Sequence, residues 1–288
     1  MSSSSTLDFR DRFMEIVFLI CTATSIVAVA LISWFVFSNS IPAIAEVGFT
    51  DFIFGTKWAP GAGEWGILPM ILGSIYVTIG AAILGVPIGV LTAIFMAFYC
   101  PKNIKGIFQS GINLLAGIPS IVYGLWALKV VVPLIRAQFG GFGLSLLAAI
   151  ILLGIMILPT VISLSQSALE SVPDAYYQGA IGLGATHERA VFSVVLPAAS
   201  SGVLSSIIMG IGRAIGETMA VTMVIGNSPI MPSGLTNQAR TLTTNIVTEM
   251  AYAGGLHREL LIATGAALFI FILVINVAFN VVKNKEKK

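Results

Sequence analysis

The chain has 288 residues, 57% of them hydrophobic and only 10% charged, with a formal net charge of +2. Soluble domains carry about 25% charged residues, so this composition describes an integral membrane protein and length does not count soluble domains. The small net charge, with no basic stripe carrying interleaved aromatics, excludes nucleic acid as a partner. Cys21 and Cys100 have no metal-ligand spacing around them and read as small apolar fillers.

Along the chain, uncharged runs of the roughly 20 residues needed to cross a bilayer recur. They predict an all-α fold of six transmembrane helices near 14–38, 67–98, 108–134, 143–167, 197–226 and 259–283. Alternating patterns for barrel strands are absent. Residues 1–13 read as a cytoplasmic tail, with Ser2–Thr6 disordered, and 284–288 as a second tail. The first apolar run, Phe13 to Phe37, is too long for the 7–15 residues of a signal-peptide core, so helix one is expected to stay uncleaved. With the N-terminus inside, the inner segments hold Arg10, Arg12, Lys102, Lys105, Arg189 and the C-terminal lysines. The outer segments hold fewer cations, namely Lys57, Lys129, Arg136, Arg240 and Arg258. The positive-inside rule therefore favours both termini in the cytoplasm. Trp34, Trp58 and Trp65 then fall near the outer interface. The long outer segments 39–66 and 227–258 read as connecting loops or as caps over a vestibule.

Between helices four and five lies a cytoplasmic loop, 168–196, that reads as two short helices. Pro173 suits a helix start with Asp174 in its first turn. Gly184 suits a left-handed terminus, and Thr186 a cap on the second helix with Glu188 behind it. Pro197 fits the first turn of helix five. Tyr176, Ala180 and Leu183 make an apolar face suited to a groove on a cytoplasmic partner.

Helix five carries the strongest local signal. Arg213 and Glu217 are the only charges between Arg189 and Arg240. A charge at mid-membrane costs about 3 kcal/mol on insertion scales and marks a functional site by default. Their i,i+4 spacing predicts one helix face, about 6 Å apart along the axis. Either a buried ion pair that pins helices or a substrate pathway fits. Arginine offers a fork of donors matched to phosphate or carboxylate, and Glu217 could hold that fork. Thr218 and Thr222 continue the face. Gly210, Gly212 and Gly216 permit close helix approach. Pro119, in Gly117-Ile-Pro-Ser120, is a candidate kink, with Ser120 a possible hydroxyl ligand.

The cytoplasmic loop resembles the Glu-Ala-Ala loop of ABC importer permeases. Its positions here are Gln178, Gly179 and Ala180, then Gly184, then Leu196 and Pro197. Gln178 stands where the pattern has Glu, and Gly179 where it has Ala. Gly63-Glu-Trp-Gly-Ile-Leu-Pro69 and Gly117-Ile-Pro-Ser-Ile-Val-Tyr-Gly124 resemble the phosphate-transport (Pst) permeases. The run from Gly212 to Asn227 is most similar to the C-type subunit of that system. The resemblance covers about residues 50–283 and implies the type I, MetI-like permease fold. It implies a phosphate pathway through Arg213 and Glu217, with Thr218 and Ser120 beside them, and coupling helices that seat on an ATPase. It further implies a second permease chain of the A type, a nucleotide-binding ATPase dimer and an extracytoplasmic phosphate-binding protein. A sister subunit, or a sulfate or molybdate permease, is the alternative.

No Gly-x4-Gly-Lys-Ser/Thr loop occurs, so this chain is expected to bind no cofactor, with ATP and Mg held by the partner ATPase. An intramembrane enzyme is disfavoured. His187 and His257 are expected on opposite sides of the membrane, and no Asp lies in an expected span.

Overall fold

The structure is a computed structural model that describes residues 4–286; the ends of both expected tails lie outside the described residues. In chain order, α1 (Ser4–Val47) and α2 (Phe49–Phe54) lead into a small hairpin of β1 (Trp58–Ala59) and β2 (Glu64–Trp65). Then come α3 (Leu68–Ile94), α4 (Lys102–Gly117), α5 (Ser120–Lys129), α6 (Val131–Phe139) and α7 (Leu146–Glu170). Three short helices follow, α8 (Asp174–Gly182), α9 (His187–Ala190) and α10 (Leu196–Ala198). Finally come α11 (Ser200–Gly216), α12 (Met219–Val224), α13 (Leu242–Glu249) and α14 (Leu256–Glu286).

Among the described residues, α1, α3, α5 with α6, α7 and α14 are long and apolar enough to span a bilayer. The sixth span is bent: His187–Ala198 and Ser200–Gly216 meet at 71°. The bend follows from Pro197, whose ring clashes with the carbonyl four residues back, and from the π turn Val191–Val195 just before it. Helix five therefore opens at Ser200, and Pro197 sits before the bend instead of in its first turn.

α7 is the central post, packed by α3 and α11 and flanked by α4, α5, α6 and α12. Ser145 caps it, its hydroxyl oxygen accepting from the Ala148 N–H at 3.2 Å. α3 and α7 approach closely because Gly85 faces the other backbone. A Cβ there would lie 2.6 Å from the Gly154 carbonyl oxygen, so a side chain would force the spans apart. α1 packs on α14 at the edge, and Leu19, Leu31 and Trp34 stand open around it, as in a helix whose neighbour is lipid.

Several expected bounds shift. α1 is longer than 14–38 at both ends, and Ser4–Thr6 are helical where a disordered tail was expected. α14 likewise extends beyond 259–283 to Glu286, into the expected C-terminal tail. α7 runs on to Glu170, inside the expected loop 168–196. The expected helix 108–134 is broken, because Pro119 drives the preceding residue out of the helical region. Ile118 has φ −69° and ψ 126°, so α4 stops at Gly117 and the span proper is 120–139.

The segments expected on the outer side, 39–66 and 227–258, are structured. Phe52, Trp58, Ile67, Met70, Leu242, Leu260 and Leu261 form a separate apolar core that joins α2, the hairpin, α13 and the start of α14. Trp58 pairs with Trp65 across the hairpin, their rings edge to face at 5.8 Å.

Candidate functional site

Helix five does not run through Glu217. α11 ends at Gly216, and Glu217 is extended, with φ −70° and ψ 127°. Arg213 and Glu217 are therefore not an i,i+4 pair on one helix, and they do not form an ion pair. Arg213 Nη1 donates to Thr160 Oγ1 of α7 at 3.3 Å. Glu217 Oε1 accepts from the Ala220 N–H at 3.1 Å, capping the first turn of α12. This side-chain bond offers the backbone an alternative to continued helix, and Gly216 makes the departure cheap. Thr218 Oγ1 donates to the Gly216 carbonyl at 3.2 Å, and Thr222 Oγ1 to the Thr218 carbonyl at 2.7 Å. Both threonines thus serve the break itself.

The break after α11 has the same backbone form as the break after α4, where Ile118 has φ −69° and ψ 126°. The helices after the two breaks, α5 and α12, pack on each other. Gly124 makes this possible, since a Cβ there would lie 2.8 Å from Met223 Sδ. Ser120 is the first residue of α5. Tyr123 Oη donates to the Leu115 carbonyl at 2.8 Å, tying α5 back to the end of α4.

Arg213 is exposed on the surface of the single chain. Met209, Gly212 and Gly216 on the same helix, and Gly117 before the other break, are exposed too. Of the expected packing glycines only Gly210 is buried, a Cβ there meeting Val161 at 2.7 Å; Gly212 and Gly216 face open space. Glu217 points the other way. It borders a cavity of about 10 Å³ lined also by Ser74, Thr78, Thr241 and Thr243, room for roughly one water. Thr243 Oγ1 donates to the Glu217 carbonyl at 3.2 Å, and Ser74 Oγ accepts from the Leu242 N–H at 3.0 Å. These four hydroxyl residues carry no distinguishing sequence pattern, Ser74 and Thr78 lying in an apolar run and Thr241 and Thr243 in a polar Thr/Asn stretch of a connecting segment.

In the loop 168–196, Asp174 opens α8 with Pro173 as its cap. Gly184 has φ +86°, a left-handed conformation that glycine adopts without strain. The Thr186 hydroxyl oxygen caps α9, accepting from the Arg189 N–H at 3.3 Å. Gln178 Nε2 reaches Asp174 Oδ2 at 3.4 Å, and Gly179, Gly184 and Pro197 are exposed while Ala180 and Leu196 are half-buried. Tyr176 is exposed over about half of its surface and Leu183 over 93%.

A second polar centre joins the outer segments. Glu249 ion-pairs with Arg240, accepts from Trp58 Nε1 at 2.9 Å, and bonds His257 Nε2 at 2.8 Å. Arg240 also donates to the Asn227 carbonyl at 2.8 Å and to Asn245 Oδ1 at 2.9 Å. No local pattern points to it, because Trp58 and Glu249 are 191 positions apart.

Six apolar spans with α7 central among them, a broken helix with an exposed arginine, and an exposed pair of short helices in the loop before it define a protein of the transmembrane permease class. The model of the family described as "Binding-protein-dependent transport system inner membrane component" matches residues 85–287, and the chain belongs to that family. It is 41% identical over 235 residues to a probable ABC transporter permease protein, YqgH, of Bacillus subtilis, covering 78% of this chain and 76% of the relative. It is 34% identical to the phosphate transport system permease protein PstC of Mesorhizobium japonicum (83% and 79% covered) and 32% to that of Pasteurella multocida (96% and 91%). Its fold is shared with chains of the MetNI methionine ABC transporter, at TM-score 0.65, 19% identity and 81% and 100% coverage. It is shared too with a bacterial alginate ABC transporter, at TM-score 0.67, 15% identity and 97% and 98% coverage. The protein is thus a multi-pass transport component of the inner membrane, with the all-α ABC importer permease fold, and acts as a transport subunit and not as an enzyme.

Proposed function

We propose that this chain is one of two permease subunits of an ATP-driven importer of inorganic phosphate, with Arg213 on the ion's path. The observation that carries this is the exposed Arg213 guanidinium on a membrane-spanning helix, one turn before a break, in a chain whose relatives are named phosphate permeases. A charge there is costly against lipid, so the exposed face belongs against a second permease chain with an aqueous path between. Bare phosphate pays a prohibitive desolvation cost in hydrocarbon. One arginine offers it a two-pronged site, and a single cation keeps binding weak enough for release.

Both termini lie in the cytoplasm in this reading, consistent with the lysine and arginine bias. The helices α8 and α9 then seat on an ATPase dimer that holds ATP and Mg, using Gln178, Gly179, Ala180 and Gly184. The hinge at Leu196 and Pro197 passes the motion into α11. A phosphate-binding protein docks on the outer core built by α2, the hairpin and α13. The test is uptake of phosphate, sulfate and molybdate by the reconstituted complex. Arg213→Ala is expected to cut phosphate uptake at least about tenfold, a loss on the order of one charge-assisted hydrogen bond, with the complex still assembled. Intact uptake in that variant would remove Arg213 from the pathway.

A further inference from the structure

α8 hangs on the protein by very little. None of its side chains is buried. Among the described residues, Tyr177 is its one member of an apolar cluster, at the edge of a group that includes Ala93, Ile94, Leu169, Val191 and Val203. Tyr177 is gripped twice. Its ring stacks on Phe98 at 6.4 Å with planes 20° apart, and its hydroxyl bonds His187 Nδ1 at 2.7 Å. His187, the first residue of α9, sets its own ring edge-on against Tyr99 at 4.6 Å. One aromatic joint therefore unites α8, α9 and the inner end of α3.

The backbone is adapted at the same place. Phe95–Tyr99 and Val191–Val195 are the π turns among the described residues, and both adjoin this joint. The Cys100 N–H donates to the Phe95 carbonyl, five residues back, at 2.7 Å. Such a turn adds one residue to the helix, shifts the side chains that follow, and occurs mostly at functional places. Here the shifted residues are Phe98 and Tyr99. Covalent connection carries motion of the loop only to α7 and α11, the helices on either side of it. α3 packs along α7 and touches α11, and the joint adds a direct tie from α8 and α9 to its end; about 36 Å further along its axis Ser74 borders the cavity beside Glu217.

We propose that Tyr99, His187 and Tyr177 form a rigid coupling that carries the ATPase stroke into α3, so that α3 moves together with α11. They are positioning residues, and the assignment rests on the reading of the chain as an ATP-driven phosphate permease. The measurement is phosphate imported per ATP hydrolysed in proteoliposomes of the full complex with its binding protein. Tyr177→Phe, which keeps the stack and loses the hydroxyl, and His187→Ala are both expected to lower that ratio about fivefold or more, hydrolysis itself continuing. An unchanged ratio, whether uptake is normal or uptake and hydrolysis fall together, overturns the coupling. The Tyr99→Cys, His187→Cys pair, in a Cys21→Ser, Cys100→Ser background, is expected to have a low ratio that a short thiol crosslinker restores. A crosslink that leaves the ratio low overturns the rigidity. A wild-type complex that hydrolyses ATP without importing phosphate removes the transporter reading, and the joint with it.

Discussion

At residue 217 two roles can be pulled apart. The Glu217 carboxylate caps α12 through one oxygen and brings a negative charge to a hydroxyl-lined cavity. Glu217→Gln keeps an acceptor for the Ala220 N–H and deletes the charge; Glu217→Ala deletes both. The cap is worth about 1 kcal/mol, so the alanine variant is expected to lose thermal stability that the glutamine variant keeps. If the charge also rejects fully ionised anions, Glu217→Gln admits sulfate in competition uptake, while wild type does not. Sulfate exclusion that survives the substitution leaves Glu217 a structural cap only. Arg213 is legible in the sequence as a cation in an apolar run, but the pairing with Glu217 that the spacing predicts does not form. Spacing speaks of a shared face only where the helix is continuous. The signal for the break was nonetheless present, as glycine followed by two residue types whose side chains compete for backbone groups.

Breaks and caps decide what each element contributes. Pro119 ends α4, and Tyr123 ties α5 back to the Leu115 carbonyl. Removing that hydroxyl in Tyr123→Phe is expected to cost about 1 kcal/mol, read as a lower midpoint of thermal unfolding in detergent. Hydropathy could not place this break, since an apolar run looks alike whether one helix or three cross it. The short helices α8 and α9 are legible in the sequence because Pro173, Gly184 and Thr186 each act locally. The outer elements are not, because their tie is made over long sequence distances by Glu249. Burial opposes its charge, but bonds from Trp58, Arg240 and His257 outweigh burial and hold its carboxyl below the ordinary value of 4.5. A carboxylate more acidic folded than unfolded stabilises fully above the ordinary value, and loses that contribution as pH falls through the folded one. Glu249→Gln leaves Arg240 without its ion partner, and is expected to cost about 3 kcal/mol at neutral pH. The gap in unfolding midpoint between variant and wild type should hold down to about pH 5 and shrink below 4.5. A gap independent of pH would mean that packing, not charge, ties the outer core.

At the scale of the whole molecule, the proposed reading makes this chain one of two permease halves. α1 and α14 present apolar side chains as a lipid-facing wall does, whereas α11 presents Arg213 on a surface that lipid should not touch. The same charge has opposite consequences in the two states. On the proposed reading, it faces water, a partner chain and the transported anion in the assembled importer. In the isolated subunit it faces detergent or lipid, at about 3 kcal/mol on insertion scales. Function and single-chain stability should therefore conflict at this position, as they do where sites keep costly groups. Arg213→Leu is expected to raise the thermal unfolding midpoint of the purified single chain, because leucine suits lipid. Placed in the complete complex, the same variant is expected to abolish phosphate uptake without that gain in stability, since the wild-type arginine is no longer exposed to lipid there. Measuring the midpoint of both forms, alone and assembled, separates the two contributions. A variant that leaves the isolated chain unchanged or less stable would place Arg213 against protein in the single subunit, and the open face would lose its reading as the surface shared with a second permease.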